Sequence, residues 1–292
     1  MAASMRAPRL EVLPSRPQTL WGWPAVLNFV LGGLGSGWYI VAVLAAGLER
    51  SPGVTAASWA APFLVLGGFA TVAGEAGRPL RGPWVLRRLW TSWMSRELLI
   101  GIAFVLLIVA ELVFPLRLHR AQALVAATLL ALAQGFILRA ARGIPAWNVP
   151  IMPGLFLSSA LLSGAGAYLL VESVAGRPPA PGVVVPVLGL VVIGFLAWIW
   201  YLRGSREFAF VQSVAPLRQW RSALVSEAGG HGLPVLLGLV ALAAPAAAAP
   251  VLALAGALLI AGQAHAKAGL VRAAGRLRPI TLAISLPGRR AS

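Results

Sequence analysis

The run Trp21–Leu48, W-G-W-P-A-V-L-N-F-V-L-G-G-L-G-S-G-W-Y-I-V-A-V-L-A-A-G-L, carries no charged side chain over its whole length. A bilayer hydrocarbon core of about 30 Å takes about 20 helical residues, so this run can cross it, and it is too long for the core of a cleavable signal. The first span is placed at 22–47, and similar runs follow at 57–76, 98–115, 121–141, 153–174, 183–202, 231–248 and 250–271. The expected fold is therefore all-α, a polytopic membrane protein with eight transmembrane helices. Residues 1–20 read as an N-terminal tail, 21–274 as the membrane domain and 275–292 as a basic C-terminal tail. The boundary between the last two runs, around Pro245 and Pro250, also fits a re-entrant pair.

Composition supports this class. The 292 residues are 59% hydrophobic and 11% charged, with mean hydropathy +0.84, against about 25% charged in a soluble domain. There is no cysteine, so the chain holds no disulfide, no iron–sulfur cluster and no thiolate metal site. A net charge of +16 in a soluble chain would point to nucleic acid. Here the basic residues lie between apolar runs and call for a topological reading instead.

With eight spans, twenty of the 24 Lys and Arg residues fall on the side of the termini, and only Arg50, Arg117, Arg120 and Arg177 fall on the other. The positive-inside bias then puts both termini on the cytoplasmic side of the inner membrane. The loops at 77–96 and 203–230 on that side are long enough for a docking surface, and the opposite ones do little more than turn the chain. Anionic lipid headgroups account for much of the remaining basic charge.

One segment stands apart: Glu75–Glu97, E-A-G-R-P-L-R-G-P-W-V-L-R-R-L-W-T-S-W-M-S-R-E, with five arginines, two carboxylates and three tryptophans. Its carboxylates close the second span and open the third, and an ionisable group at that depth is a functional candidate. Asn28, about two turns into the first span, is an amide that must find a partner, on a neighbouring helix or on a ligand. The small residues Gly32, Gly33, Gly35, Ser36 and Gly37 read as a close-packing stripe. Gln134, Ser163 and Gln263 read as interhelical hydrogen-bonding residues. Glu111 and Glu172 read as interfacially solvated carboxylates near the outer ends of their spans. With no charged residue expected at mid-membrane, a continuous proton pump is not indicated.

The opening W-G-W-P-A-V-L-N-F-V-L-G-G-L-G-S-G-W-Y, with G-R-P-L-R and T-S-W-M-S-R-E, resembles the membrane-anchor subunits of molybdopterin oxidoreductases. These are the dimethyl sulfoxide reductase anchor (DmsC) and NrfD/polysulfide reductase group. The N-terminal pattern looks most like anchors of phenylacetyl-CoA:acceptor oxidoreductase or cytoplasmic sulfite dehydrogenase. The resemblance implies an anchor without haem or cluster of its own. It implies a ferredoxin-like subunit with four [4Fe-4S] clusters and a molybdopterin catalytic subunit on the cytoplasmic side. It also implies electron exchange with a quinone, menaquinone or ubiquinone.

The segment matches the group's pattern H-L-G-x-P-x-R followed by S-x-E, whose histidine, arginine and glutamate are implicated in quinol binding. Arg81 and Glu97 stand at the arginine and glutamate positions, and Glu75 stands where the histidine would be. Reducing a quinone takes two electrons and two protons, so Glu97 and Glu75 are the candidate catalytic carboxylates, and Asn28, Arg81, Glu97 and Glu75 the candidate quinone-binding set. Arg78, Arg87, Arg88, Trp93 and Arg96 read as partner-docking or interfacial anchors.

Of three histidines, His119 falls in an outer loop, which leaves only His231 and His265 for a haem and argues against one. No metal site, phosphate loop or nucleophile triad is visible, so any molybdenum active site lies on another chain. Two other classes remain: a structural anchor without its own quinone site, and a small-solute transporter, which would show internal repeats and a polar midplane.

Overall fold

The computed structural model describes residues 9–75 and 86–283. Nine helices run through them: α1 Trp23–Ala45, α2 Pro52–Glu75, α3 Trp93–Val113, α4 Arg117–Ala140, α5 Met152–Val174, α6 Pro181–Arg203, the short α7 Phe208–Val214, α8 Trp220–Ala243 and α9 Pro245–Ala273. Seven of these, all but α3 and α7, are long and apolar enough to cross a membrane. α3 has 21 residues and carries Arg96, Glu97 and Glu111, which set it apart from the other long helices. The chain is an all-α, multi-pass membrane protein.

The chain ends add a small sheet that hydropathy does not reveal. Strand β1, Arg9–Leu13, pairs antiparallel with β2, Ile280–Ala283, with Arg9 opposite Ala283 and Leu13 opposite Ile280. The Gln18 N–H donates to Gly275 O (2.8 Å) and the Leu277 N–H to Arg16 O (2.8 Å). The two termini therefore share one face, called here the terminal face.

α1 is the axis of the bundle, packing against α2, α4, α5 and α9. At its crossing with α5 the backbones touch: a Cβ on Gly37 would lie 1.7 Å from Ala160 O, and one on Gly164 2.0 Å from Gly37 C. In lipid, helices associate by packing and polar contacts, and small residues let them approach this closely. Gly164→Val should lower the stability of the detergent-solubilised protein by about 3 kcal/mol, the upper end for overpacking. Gly154→Val, at a site with open space around a Cβ, should leave the thermal midpoint unchanged.

The small-residue stripe of α1 is thus only partly a packing surface. Gly35 and Gly37 face backbone atoms of α2 and α5, whereas Gly32 and Gly33 face the Gln134 amide and the Lys267 ammonium.

The final hairpin differs from expectation. The 203–230 stretch, expected as a loop, contains α7 and the first half of α8, so the seventh apolar helix is Trp220–Ala243 and not 231–248. Polar residues in 219–231 mask its helical start from a hydropathy window. The turn falls at Ala244, whose φ of −129° and ψ of 77° are those of a residue pushed out of the α-region by the following proline. Pro250 then sits in the early turns of the next helix. Two stretches, Leu224–Gly232 in α8 and Gly269–Ala273 in α9, are π-helical.

Glu111 and Glu172 are not interfacially solvated. Glu111 is 5% exposed and accepts hydrogen bonds from Arg120 Nε (2.9 Å), Tyr39 Oη (2.8 Å) and Ser58 Oγ (3.2 Å). Glu172 pairs with Arg177 through both oxygens, at 3.0 and 3.1 Å. Each carboxylate draws its cation from the turn that follows it. His119 is in the first turn of α4 and half-buried, with Nδ1 2.9 Å from Phe114 O.

Candidate functional site

Three helices converge about one to two turns from the terminal face. α3 starts with Ser92 as N-cap, its Oγ accepting from the Ser95 N–H (3.4 Å). Glu97 therefore lies a full turn inside the helix instead of opening it, and its side chain turns inward, 5% exposed. Two amides meet one of its oxygens: Asn28 Nδ2 of α1 donates to Oε1 at 3.0 Å, and Gln134 Nε2 of α4 donates to the same Oε1 at 3.1 Å. Gln134 Nε2 also lies 3.2 Å from Asn28 O. Gly32 makes this possible, because a Cβ there would fall 2.4 Å from Gln134 Nε2.

Sequence reasoning singled out Asn28 and Glu97, and the structure joins them directly. It did not single out Gln134 as a site residue. A polar side chain in the last turns of an apolar helix was the available signal, and the same signal belongs to many structural amides.

Both amides give their N–H groups to the carboxylate, and neither amide oxygen has a donor: Asn28 Oδ1 and Gln134 Oε1 are buried without a hydrogen-bond partner among the described residues. Buried polar atoms without partners cost free energy, commonly about 1–3 kcal/mol each. A ligand that donates hydroxyl hydrogens relieves that cost. The site therefore presents one carboxylate and two carbonyl-type acceptors to a hydrogen-bond donor.

Lys267 lies on the far side of Gln134. It is 4% exposed within α9, although charge counting assigns it to the terminal-face loops, and its Nζ donates to Phe29 O at 2.9 Å. His231 and Gln263 are each 4% exposed and face one another across α8 and α9, Nε2 to Nε2 at 3.3 Å. His231 thus partners Gln263 and not His265. Ser163 bonds carbonyls of its own helix, Ser159 O and Ala160 O, and bridges no helices. Among the described residues, no group of three or more His, Cys, Asp or Glu side chains could hold a metal ion.

The proposed docking residues divide. Trp93 stacks on Phe136 with centroids 4.2 Å apart, and the Arg96 guanidinium sits 4.4 Å above the Trp93 ring. Arg96 also donates to Leu89 O (2.8 Å) and Trp90 O (2.7 Å), so these two side chains fasten the turn that precedes α3. Arg87 and Arg88 are exposed on a 3₁₀ turn, and Trp90 is 90% exposed beside them. The Glu75 side chain and all of Arg78 and Arg81 lie outside the described residues. Arg96→Ala should speed tryptic cleavage at Arg87 and Arg88 severalfold, since hydrogen bonds to a charged group hold the turn, while the thermal midpoint stays near wild type.

Residues 11–227 match the family described as polysulphide reductase, NrfD, which is well over half of the chain. The chain belongs to the NrfD family. It is a membrane subunit of an oxidoreductase complex of the polysulphide reductase type. None of the curated proteins compared matches it. The family match takes in Asn28, Glu97 and Gln134 and ends inside α8, before His231, Gln263 and Lys267.

Proposed function

We propose that this NrfD-family subunit is the quinone-reactive membrane anchor of a molybdopterin/iron–sulfur oxidoreductase. It passes electrons between an iron–sulfur subunit docked on the terminal face and the quinone pool, menaquinone or ubiquinone. The observation that carries this reading is the Asn28–Glu97–Gln134 cluster, in which a buried carboxylate and two donor-less amide oxygens suit the hydroxyl groups of a quinol. Glu97 holds or accepts the hydroxyl proton, Asn28 and Gln134 orient the ring oxygen, and the apolar bundle excludes bulk water. Arg81 and Glu75 belong to the proposed set through the motif.

The cysteine-free chain leaves the clusters to a ferredoxin-like four-cluster partner and the substrate chemistry to a molybdopterin subunit. Exposed Arg87, Arg88 and Trp90, with Arg78, offer the basic and aromatic surface for that docking.

The paired termini support eight crossings. Seven would leave β1 and β2 on opposite faces of the membrane, and counting α3 as a span restores the even number that their hydrogen bonds require. The excess of arginine on the terminal face supports its assignment to the cytoplasm.

The test is titration of a quinone analogue against the purified complex, wild type and Glu97→Gln. A weakened analogue supports the reading. Unchanged affinity together with unchanged quinone turnover removes it and favours a purely structural anchor.

A further inference from the structure

A second buried polar cluster lies next to the Glu97 site. Its centre is a cavity of about 30 Å³ between α5, α6, α8 and α9, lined by Lys267, His231, Gln263, Ser159 and Trp198 among others. One water needs about 10–15 Å³ of such space, so about two fit. The cavity wall is mostly apolar, and these polar side chains are set into it where a membrane bundle has every reason to have none. Lys267 Nζ has three hydrogens, and Phe29 O is the acceptor within hydrogen-bonding distance among the described residues. No carboxylate lies within ion-pair distance of it among those residues. Ser159 Oγ is buried with no hydrogen-bond partner among the described residues. Two of the lining elements, α5 and α9, thus carry polar groups short of partners beside one water-sized space, and an isolated buried charge is expensive unless something solvates it.

Two lining residues of the cavity also neighbour groups beyond it. Toward α4, Lys267 Nζ and Gln134 Oε1 lie 2.2 and 3.7 Å from the position of a Cβ on Gly33, so they are at most 5.9 Å apart. Two hydrogen bonds of about 2.8 Å through a single water span about that gap. Gln134 is the residue that donates to Glu97. Toward α6, His231 also lines an open groove of about 370 Å³ that contains Glu227. His231 therefore stands between the inner cavity and the groove. It sits in the π-helical stretch Leu224–Gly232, with Nδ1 2.7 Å from Ser226 O, which leaves Nε2 facing Gln263 and the cavity. Such π turns commonly mark functional positions. The charged and titratable groups around the route are Glu227 on α8 and Lys267 on α9, with Arg203 of α6 acting on Glu227.

We propose that this chamber holds ordered water and that His231 and Lys267 form the proton branch of the Glu97 site. The inference rests on the quinone reading above. Each quinone reduced to quinol takes two electrons, supplied by the iron–sulfur partner, and two protons. A proton taken up by His231 at the groove leaves from Nε2 to the cavity water as the imidazole returns to neutral, and reaches Lys267. Lys267 releases a proton toward the water beside Gln134 and is recharged from the cavity, so neither side chain is consumed. Quinol oxidation runs the same path in reverse. His231 and Lys267 are positioning and relay groups on this account, and Glu97 is the group that meets the ligand.

The test uses the intact complex, with a reduced viologen dye as electron donor and a water-soluble quinone as acceptor. Turnover and quinone-analogue affinity are measured for wild type, His231→Ala, His231→Gln and Lys267→Met. Turnover is expected to fall about tenfold in all three variants with analogue affinity within twofold of wild type, and added imidazole should restore most of the rate in His231→Ala alone. A high-resolution map should show water density within hydrogen-bonding distance of Lys267 Nζ. Wild-type turnover in His231→Gln, loss without imidazole rescue, loss of analogue binding in His231→Ala, or an empty chamber each overturns the proposal. The quinone reading fails separately, when Glu97→Gln leaves analogue binding and turnover untouched.

Discussion

Glu97→Gln is expected to lower quinone turnover by about 100-fold, the lower end of what a positioned acid–base group contributes, while the protein folds normally. The amide is isosteric, so the packing of α3 against α1 and α4 survives. Two changes follow at the site. The group can no longer hold or release a proton in the working range. In addition, the Asn28 and Gln134 N–H groups, which both point at Oε1, meet either an amide oxygen or a third N–H group, depending on the rotamer. Analogue affinity should drop about tenfold through that mismatch, which is about 1.4 kcal/mol. Glu97→Asp, which keeps the charge and retracts it by one methylene, should recover part of the turnover. Steady-state rates with a soluble quinone, beside the thermal midpoint of each variant, check the prediction. Equal losses of rate and stability in Glu97→Gln would identify the residue as structural.

The largest expected loss of stability comes from Arg120→Ala. Arg120 and Glu111 are 2% and 5% exposed, and their ion pair is supported by Tyr39 Oη and Ser58 Oγ. Removing one partner of a buried pair strands the other charge, at a cost of about 3–5 kcal/mol. Arg120 Nη1 also donates to Leu48 O at 2.5 Å. Leu48 has φ of +66°, a left-handed conformation that a branched hydrophobic residue adopts at a cost, so the arginine holds a strained turn in place. Glu111→Leu with Arg120→Met, which removes both charges, should lose much less than either single change. The exposed pair Arg117–Glu49 supplies the contrast: side chains 73% and 57% exposed predict a change under about 1 kcal/mol for Arg117→Ala. Thermal unfolding in one detergent ranks these variants.

Much of the architecture is legible along the chain because membrane insertion is a local sum. The run at Trp21–Leu48 contains α1, and 153–174 and 183–202 fall almost residue for residue on α5 and α6. The start of α8 was misplaced because Trp220–Glu227 mixes arginine and serine with apolar residues. A window that averages hydropathy cannot distinguish such a start from a loop. The candidate site was half legible. Asn28 and Glu97 stand out as polar groups where lipid tolerates few. Lys267 did not, since a lysine six residues from the end of α9 counts as an interfacial charge until its neighbours are known. Gly32 and Gly33 read as packing residues, and only the positions of Gln134 and Lys267 show them to be space left for polar side chains.

By itself the sequence determined that this chain crosses a membrane repeatedly, holds no iron–sulfur cluster for want of cysteine, and keeps its basic residues mostly between and beyond its apolar runs. Those properties depend on composition and on stretches of about 20 residues. Tertiary structure alone decided which polar groups meet. Glu97 reaches Asn28 across 69 residues and Gln134 across 37, and Lys267 reaches Phe29 O across 238. Each contact is set by how the helices rotate and how closely α1 lets its neighbours approach, and no local pattern encodes either.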